Sequence, residues 1–179
     1  MDSFIEEVLF SHEEIVEKCK ELGKQITDDY SDKCPILIGL LKGSVPFMAE
    51  LMKHVKCDMQ IDFMHASSYH GAESTGYVTI KKDVSTDIAG RHIILVEDIV
   101  DTGLTIKEVV NVLKDRKAAS IEVVSLVNKP VRRNQKCLEP KYVGFTIPAK
   151  FIVGFGLDYN ELYRNLDYIG VLKECIYKN

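Results

Sequence analysis

Three carboxylates fall within five positions in the stretch Val96-Glu97-Asp98-Ile99-Val100-Asp101-Thr102-Gly103-Leu104-Thr105. Glu97, Asp98 and Asp101 follow directly on an apolar run, His92-Ile93-Ile94-Leu95-Val96. Carboxylates this close repel one another, and one of them takes a shifted pKa unless something compensates. Thr102 to Thr105 supply backbone N–H groups, a glycine at 103 that tolerates unusual dihedrals, and two hydroxyls. Ahead of a helix pattern, that set suits a phosphate at the helix's positive end. Glu97 and Asp98 are oxygen donors able to accept from sugar hydroxyls or to hold a hard cation such as Mg²⁺. A sugar phosphate with a cation would answer the crowding. The plainer alternative is that the acids cap the helix and otherwise face water; it accounts for one acid comfortably and for three poorly.

The surrounding elements must place this turn. Ser11 with Glu14 forms a capping box, and Ile15, Cys19, Leu22 and Ile26 recur at helical spacing, which predicts a packing helix over 12–28. Pro35 to Leu41 is a short continuous apolar run, the pattern of a buried parallel strand. Lys42-Gly43-Ser44 and a helix carrying Met48, Leu51, Met52 and Val55 on one face come next. The alternation Met59, Ile61, Phe63 predicts a second strand, 92–96 a third, 121–127 a fourth and Phe151 to Val153 a fifth. Ile106, Val109, Val110 and Leu113 at i, i+3, i+4, i+7 make 92–127 a β-α-β unit. Strands alternating with helices imply a parallel sheet covered on both faces, with ligands at the carboxyl ends of its strands. The turn at 97–105 lies at such an end. Residues 65–90, with one weak alternation at 77–80, form an excursion of the length that usually serves as a lid. No repeat and no second domain is visible, so 1–179 is expected to be a single domain.

Bulk properties narrow the function. A chain of 179 residues, 46% hydrophobic and 28% charged, fits one soluble globular domain. A net charge of −4 argues against a chain that lives on nucleic acid, which needs a clustered positive footprint. Five scattered cysteines, none in a C-x-x-C pair, suggest neither a disulfide framework nor a zinc knuckle. The acidic N-terminus lacks a signal-peptide pattern, and no apolar run approaches a membrane span, so a cytoplasmic protein without membrane attachment is expected.

The stretch ILVEDIVDTGLT at 94–105 resembles the phosphoribosyl-pyrophosphate-binding signature of the type I phosphoribosyltransferases. LLKGS at 40–44, SSY at 67–69, VNKP at 127–130 and PAKFIVGFGLDYNELYRNL at 148–166 extend the likeness. Together, and in the family's order, they resemble hypoxanthine-guanine phosphoribosyltransferases of the short, bacterial kind. The resemblance implies an α/β fold: a mostly parallel twisted sheet flanked by helices, with a small hood and a flexible active-site loop at about 65–90. It implies purine salvage by Mg²⁺-dependent transfer of the 5-phosphoribosyl group from phosphoribosyl pyrophosphate to N9 of hypoxanthine or guanine. It also implies a homodimer or homotetramer.

Residue roles follow from the same resemblance. Glu97 and Asp98 would hold the ribose hydroxyls, directly or through Mg²⁺, and Asp158 a second Mg²⁺ or its waters. Asp101 would be the general base near purine N7, and Asp101 to Thr105, through Thr102, Gly103 and Leu104, would grip the 5′-phosphate. Lys42 with Gly43, and Arg164, would face the departing pyrophosphate, and a cis peptide at Leu41–Lys42 is left open. Lys129 would donate to the exocyclic O6, Phe151 would stack on the base, and the Ile152 carbonyl would face the C2 edge. Ser68 and Tyr69 would lie at the tip of a closing loop, excluding water from a reactive sugar cation. Leu104 departs from relatives that place a lysine there, which removes one charge and leaves the backbone donors. Two rivals remain at this point. One is a phosphoribosyltransferase for xanthine, adenine or a pyrimidine, against which Lys129 argues because an ammonium only donates and adenine presents an amine. The other is a nucleotide-sensing regulator that binds RNA or DNA, for which this acidic chain offers only Lys129 and Arg132-Arg133 as a basic run.

Overall fold

The structure is a computed structural model and describes residues 3–68, 78–132 and 139–178. In chain order it contains β1 (Ile5–Phe10), α1 (His12–Tyr30), β2 (Ile36–Leu40), α2 (Ser44–Leu51) and β3 (Gln60–Ser68). There follow β4 (Val78–Lys82), β5 (His92–Val100), α3 (Leu104–Asp115), β6 (Ser120–Asn128), β7 (Tyr142–Thr146), β8 (Ile152–Val153), β9 (Ile169–Leu172) and α4 (Glu174–Tyr177). Helix α1 begins as its capping box predicts: the Glu14 N–H donates to Ser11 Oγ and the Ser11 N–H to Glu14 Oε2 at 2.8 Å.

Six strands form the main sheet in the order β4-β3-β2-β5-β6-β7, parallel throughout except for the antiparallel edge strand β4. The continuous apolar runs are explained by burial on both faces. Leu37, Ile94, Val96, Val124 and Leu126 pack with Ile15, Leu22 and Ile26 of α1 and Phe47 and Leu51 of α2. Ile36, Ile38, Ile93, Leu95 and Val123 pack with Ile106, Val109 and Leu113 of α3. Alternate residues of one strand therefore serve opposite layers, as the period of two requires.

Three expectations from the sequence are corrected. The apolar segment at 151–153 is not the fifth strand of the parallel sheet. It supplies only the two-residue β8 of a separate antiparallel sheet, β1-β9-β8, in which Ile5 pairs with Leu172. The remaining parallel strand is β7, which adds to β6 by non-local pairing and carries no strong alternation of its own. In β3 the strand is present, but its alternation does not mark one buried face: Met59 and Phe63 pack against one core cluster, Ile61 is 45% exposed, and Asp62 and Met64 are buried on the other side. Burial of Asp62 is tolerated because its carboxylate accepts the N–H groups of Phe63, Ser85 and Thr86. Part of the 65–90 excursion is also regular, since Ala66 pairs with Ile80 and Ser68 with Val78.

Candidate active site

Because β2, β3, β5 and β6 run parallel, their carboxyl ends lie along one edge of the sheet. That edge collects Leu41 to Ser44 after β2, Asp101 to Thr105 after β5 and Lys129 after β6. The antiparallel β1-β9-β8 sheet brings Phe151, Ile152 and the loop to Arg164 to the same edge. Lys129 Nζ donates to the Lys150 carbonyl at 3.0 Å and ties the two sheets together.

The pleat of β5 separates the adjacent acids. Glu97 shares a face with Leu95 and lines a 120 Å³ cavity with Asp101, Thr102, Gly103, Leu104 and Thr105. Asp98 lies on the other side and lines a 210 Å³ cavity with Asp101, Lys129, Phe151, Ile152 and Asp158. Asp101 alone among the three acids lines both. Gly103 takes φ +77° as it opens α3, a left-handed conformation that glycine adopts without Cβ strain. Its cavity thus sits at the positive end of a helix, the place for an anion.

The expected electrostatic crowding falls on Glu97 and Asp98. Burial, and then the charge of Asp98, push the Glu97 carboxyl well above the usual carboxylate range. Burial also raises Asp98, against the Ile99 N–H that it accepts at 2.8 Å, a hydrogen bond from Glu97 and the attraction of Arg164. Gly43 is wedged against this pair, with no room for a Cβ beside the Asp98 carboxylate.

The cations are already engaged. Lys42 Nζ, following a cis Leu41–Lys42 peptide, meets Glu161 Oε2 at 2.8 Å. Arg164 donates to the Gly156 carbonyl at 2.7 Å and pairs with Asp158 at 2.9 Å and Glu161 at 3.3 Å. Glu161 therefore bridges both side chains expected to face pyrophosphate. Sequence alone assigns it no role; its only signal is an acid midway between Asp158 and Arg164.

The family model for the phosphoribosyl transferase domain matches residues 7–160. A hypoxanthine-guanine phosphoribosyltransferase of Streptococcus pneumoniae is 53% identical over 180 residues, covering 100% of this chain and 99% of the relative. The chain belongs to the hypoxanthine-guanine phosphoribosyltransferase family. A crystal structure of a hypoxanthine phosphoribosyltransferase from Staphylococcus aureus superposes with a TM-score of 0.93 at 49% identity, covering 98% of this chain and 96% of that one. A variant hypoxanthine phosphoribosyltransferase from Trypanosoma cruzi, complexed with the product IMP, gives 0.91 at 36% identity, covering 99% and 96%. The α/β fold with its mostly parallel, helix-flanked sheet is that of the family.

Of the residues expected in a site of this family, the structure brings Glu97, Asp98, Asp101 to Thr105, Lys129, Phe151, Ile152 and Asp158 around two adjoining cavities. Gly43 backs Asp98, and Lys42 and Arg164 join the Glu161 network beside it. Ser68 ends β3, and Tyr69 lies outside the described residues. Among the described residues no group of three or more His, Cys, Asp or Glu forms a metal cage. Buried Glu97 and half-buried Asp98, joined by a hydrogen bond, are nevertheless hard-oxygen donors of the kind Mg²⁺ takes together with a substrate's own oxygens.

Proposed function

We propose that the chain transfers the 5-phosphoribosyl group of phosphoribosyl pyrophosphate to N9 of hypoxanthine or guanine, giving IMP or GMP and pyrophosphate. The observation that carries this reading is the position of Asp101 between a phosphate-sized cavity at a helix N-terminus and a second cavity lined by Lys129 and Phe151. A group at that junction reaches the place where base and sugar meet.

The Thr102 to Thr105 turn holds the 5′-phosphate, and Glu97 and Asp98 orient the ribose hydroxyls. Lys129 keeps two N–H groups for O6 beyond the one given to the Lys150 carbonyl. Phe151 stacks on the base, and the Ile152 carbonyl faces its C2 edge. As N9 bonds to the anomeric carbon, the bond to pyrophosphate breaks, its electron pair leaves with pyrophosphate, and the N7 proton passes to Asp101. Lys42 and Arg164 receive the departing polyanion by exchanging Glu161 for it. Glu97, Asp98 and Asp158 are the residues that would hold Mg²⁺, which neutralises pyrophosphate charge when bound. The reading treats residues 1–179 as one catalytic domain, cytoplasmic and assembled as a homodimer or homotetramer. Four thiols free among the described residues, Cys19, Cys34, Cys57 and Cys175, suit a reducing compartment, and no helix is long and apolar enough to cross a membrane among those residues.

The test is consumption of phosphoribosyl pyrophosphate against hypoxanthine, guanine, xanthine, adenine and uracil, with Mg²⁺ and with excess chelator. Turnover with hypoxanthine and guanine that stops in chelator is expected. Equal turnover with adenine would overturn the base assignment, and full activity in chelator would overturn the cation's role. Size-exclusion chromatography reads the assembly.

A further inference from the structure

The Phe151 ring is stacked on Tyr177 of α4, with centroids 4.5 Å apart and planes inclined by 19°. Tyr159 meets the same ring edge-on at 5.7 Å and 85°. Phe151 is still 37% exposed and lines the 210 Å³ cavity assigned to the base. Tyr177 does not line that cavity. It lines a second one, of 200 Å³, with Glu6, Lys150, Val171 and Glu174, and Phe151 borders this one too. Phe151 thus borders both spaces, and Tyr177, which lines only the second, stacks on its ring.

We propose that Tyr177 is a positioning residue for the purine, backing Phe151 so that base, Phe151 and Tyr177 form one three-layer column. The proposal rests on the reading that Phe151 stacks on the base. An exposed phenylalanine samples several rotamers, and ordering it on binding costs affinity; a stacked neighbour orders it beforehand. The backbone is already anchored, since the Leu172 N–H donates to the Phe151 carbonyl at 3.0 Å, so the ring is what Tyr177 orders. Helix α4 has four residues and none fully buried; Tyr177 is half-buried against the small cluster of Ile5, Val153 and Leu172, so Tyr177→Phe, which keeps that packing, separates the loss of the ring from a general loosening. Coupling of this kind is reciprocal: a base that favours the stacked ring also favours the docked helix.

Tyr177→Ala is expected to raise KM for hypoxanthine and guanine about three- to tenfold, the range of one aromatic pair. KM for phosphoribosyl pyrophosphate and kcat should stay within about twofold, because the column touches only the base. Tyr177→Phe keeps the ring and should restore the unaltered values. In the unaltered chain, GMP should slow hydrogen exchange at Ile176 and Lys178, whose N–H groups donate to the Lys173 and Glu174 carbonyls. Normal base KM in Tyr177→Ala, equal rises for both substrates, or failure of Tyr177→Phe to restore KM would overturn the proposal alone. Absence of purine transfer by the unaltered chain would overturn the functional reading and this inference with it.

Discussion

Replacing Gly43 with alanine adds one carbon at the point where the β2 loop meets the β5 acids. A Cβ built there stands 2.5 Å from the Asp98 carboxyl carbon and well inside contact distance of Oδ2. Carbon atoms in contact lie about 3.5–4.0 Å apart, so the carboxylate must move by about 1 Å. It is not free to do so, because Asp98 Oδ1 accepts the Ile99 N–H at 2.8 Å and the other partner is Glu97. Gly43 cannot retreat either, since its carbonyl abuts Gly156. Forcing this contact should cost about 1–3 kcal/mol of stability, as overpacking does, and a 1 Å misplacement at the reacting centre costs on the order of 10²-fold in rate. Thermal unfolding and kcat/KM for phosphoribosyl pyrophosphate measure the two losses. The double variant Gly43→Ala with Asp98→Ala removes the obstructed group, so stability should recover toward that of Asp98→Ala alone while activity stays low. Strictly additive destabilisation in the double variant, or normal turnover by Gly43→Ala, would refute the reasoning.

Glu97→Gln is expected to flatten the pH dependence of stability measured in chelator. From the ordinary carboxyl value of 4.5 up to the raised native one, the folded state keeps a proton that the unfolded state has lost, so stability falls as pH rises, by up to about 1.4 kcal/mol per pH unit; equal slopes in urea unfolding at pH 5 to 8 would count against it. Asp101→Asn keeps size but cannot accept the N7 proton, so kcat should drop by about 10²–10⁴ with nucleotide binding little changed; a parallel loss of binding and rate in calorimetry and kinetics would end the general-base role. Lys129→Gln should raise KM for the 6-oxopurines more than for phosphoribosyl pyrophosphate, and an equal effect on both would remove its assignment to O6.

Local pattern was enough for the elements whose stability is local. Helix α1 could be read from Ser11, Glu14 and its apolar stripe, and α3 from Ile106, Val109, Val110 and Leu113, because capping and 3.6-residue periodicity are written within a dozen residues. β2, β5 and β6 were legible for a related reason: strands covered on both faces need continuous apolar runs. The acids and turn of 97–105, and the family they resemble, were equally visible.

Long-range pairing decided the rest. Strand β1 meets β9 across almost the whole chain, Ile5 opposite Leu172, and β8 has two residues, too few to show a period. Asp62 could be buried only because the backbone of Ser85 and Thr86 arrives from a distant segment. Sequence spacing put Glu97, Asp98 and Asp101 together, but the pleat of β5 assigned the first two to different cavities and left Asp101 between them. Glu161 between Lys42 and Arg164, and Tyr177 behind Phe151, are likewise contacts of tertiary packing. The chain's sequence determined which chemical groups the protein carries and which strand ends present them. Tertiary structure alone decided which of those groups face one another, because a side chain's neighbours across space depend on sheet register and loop closure rather than on its neighbours in sequence.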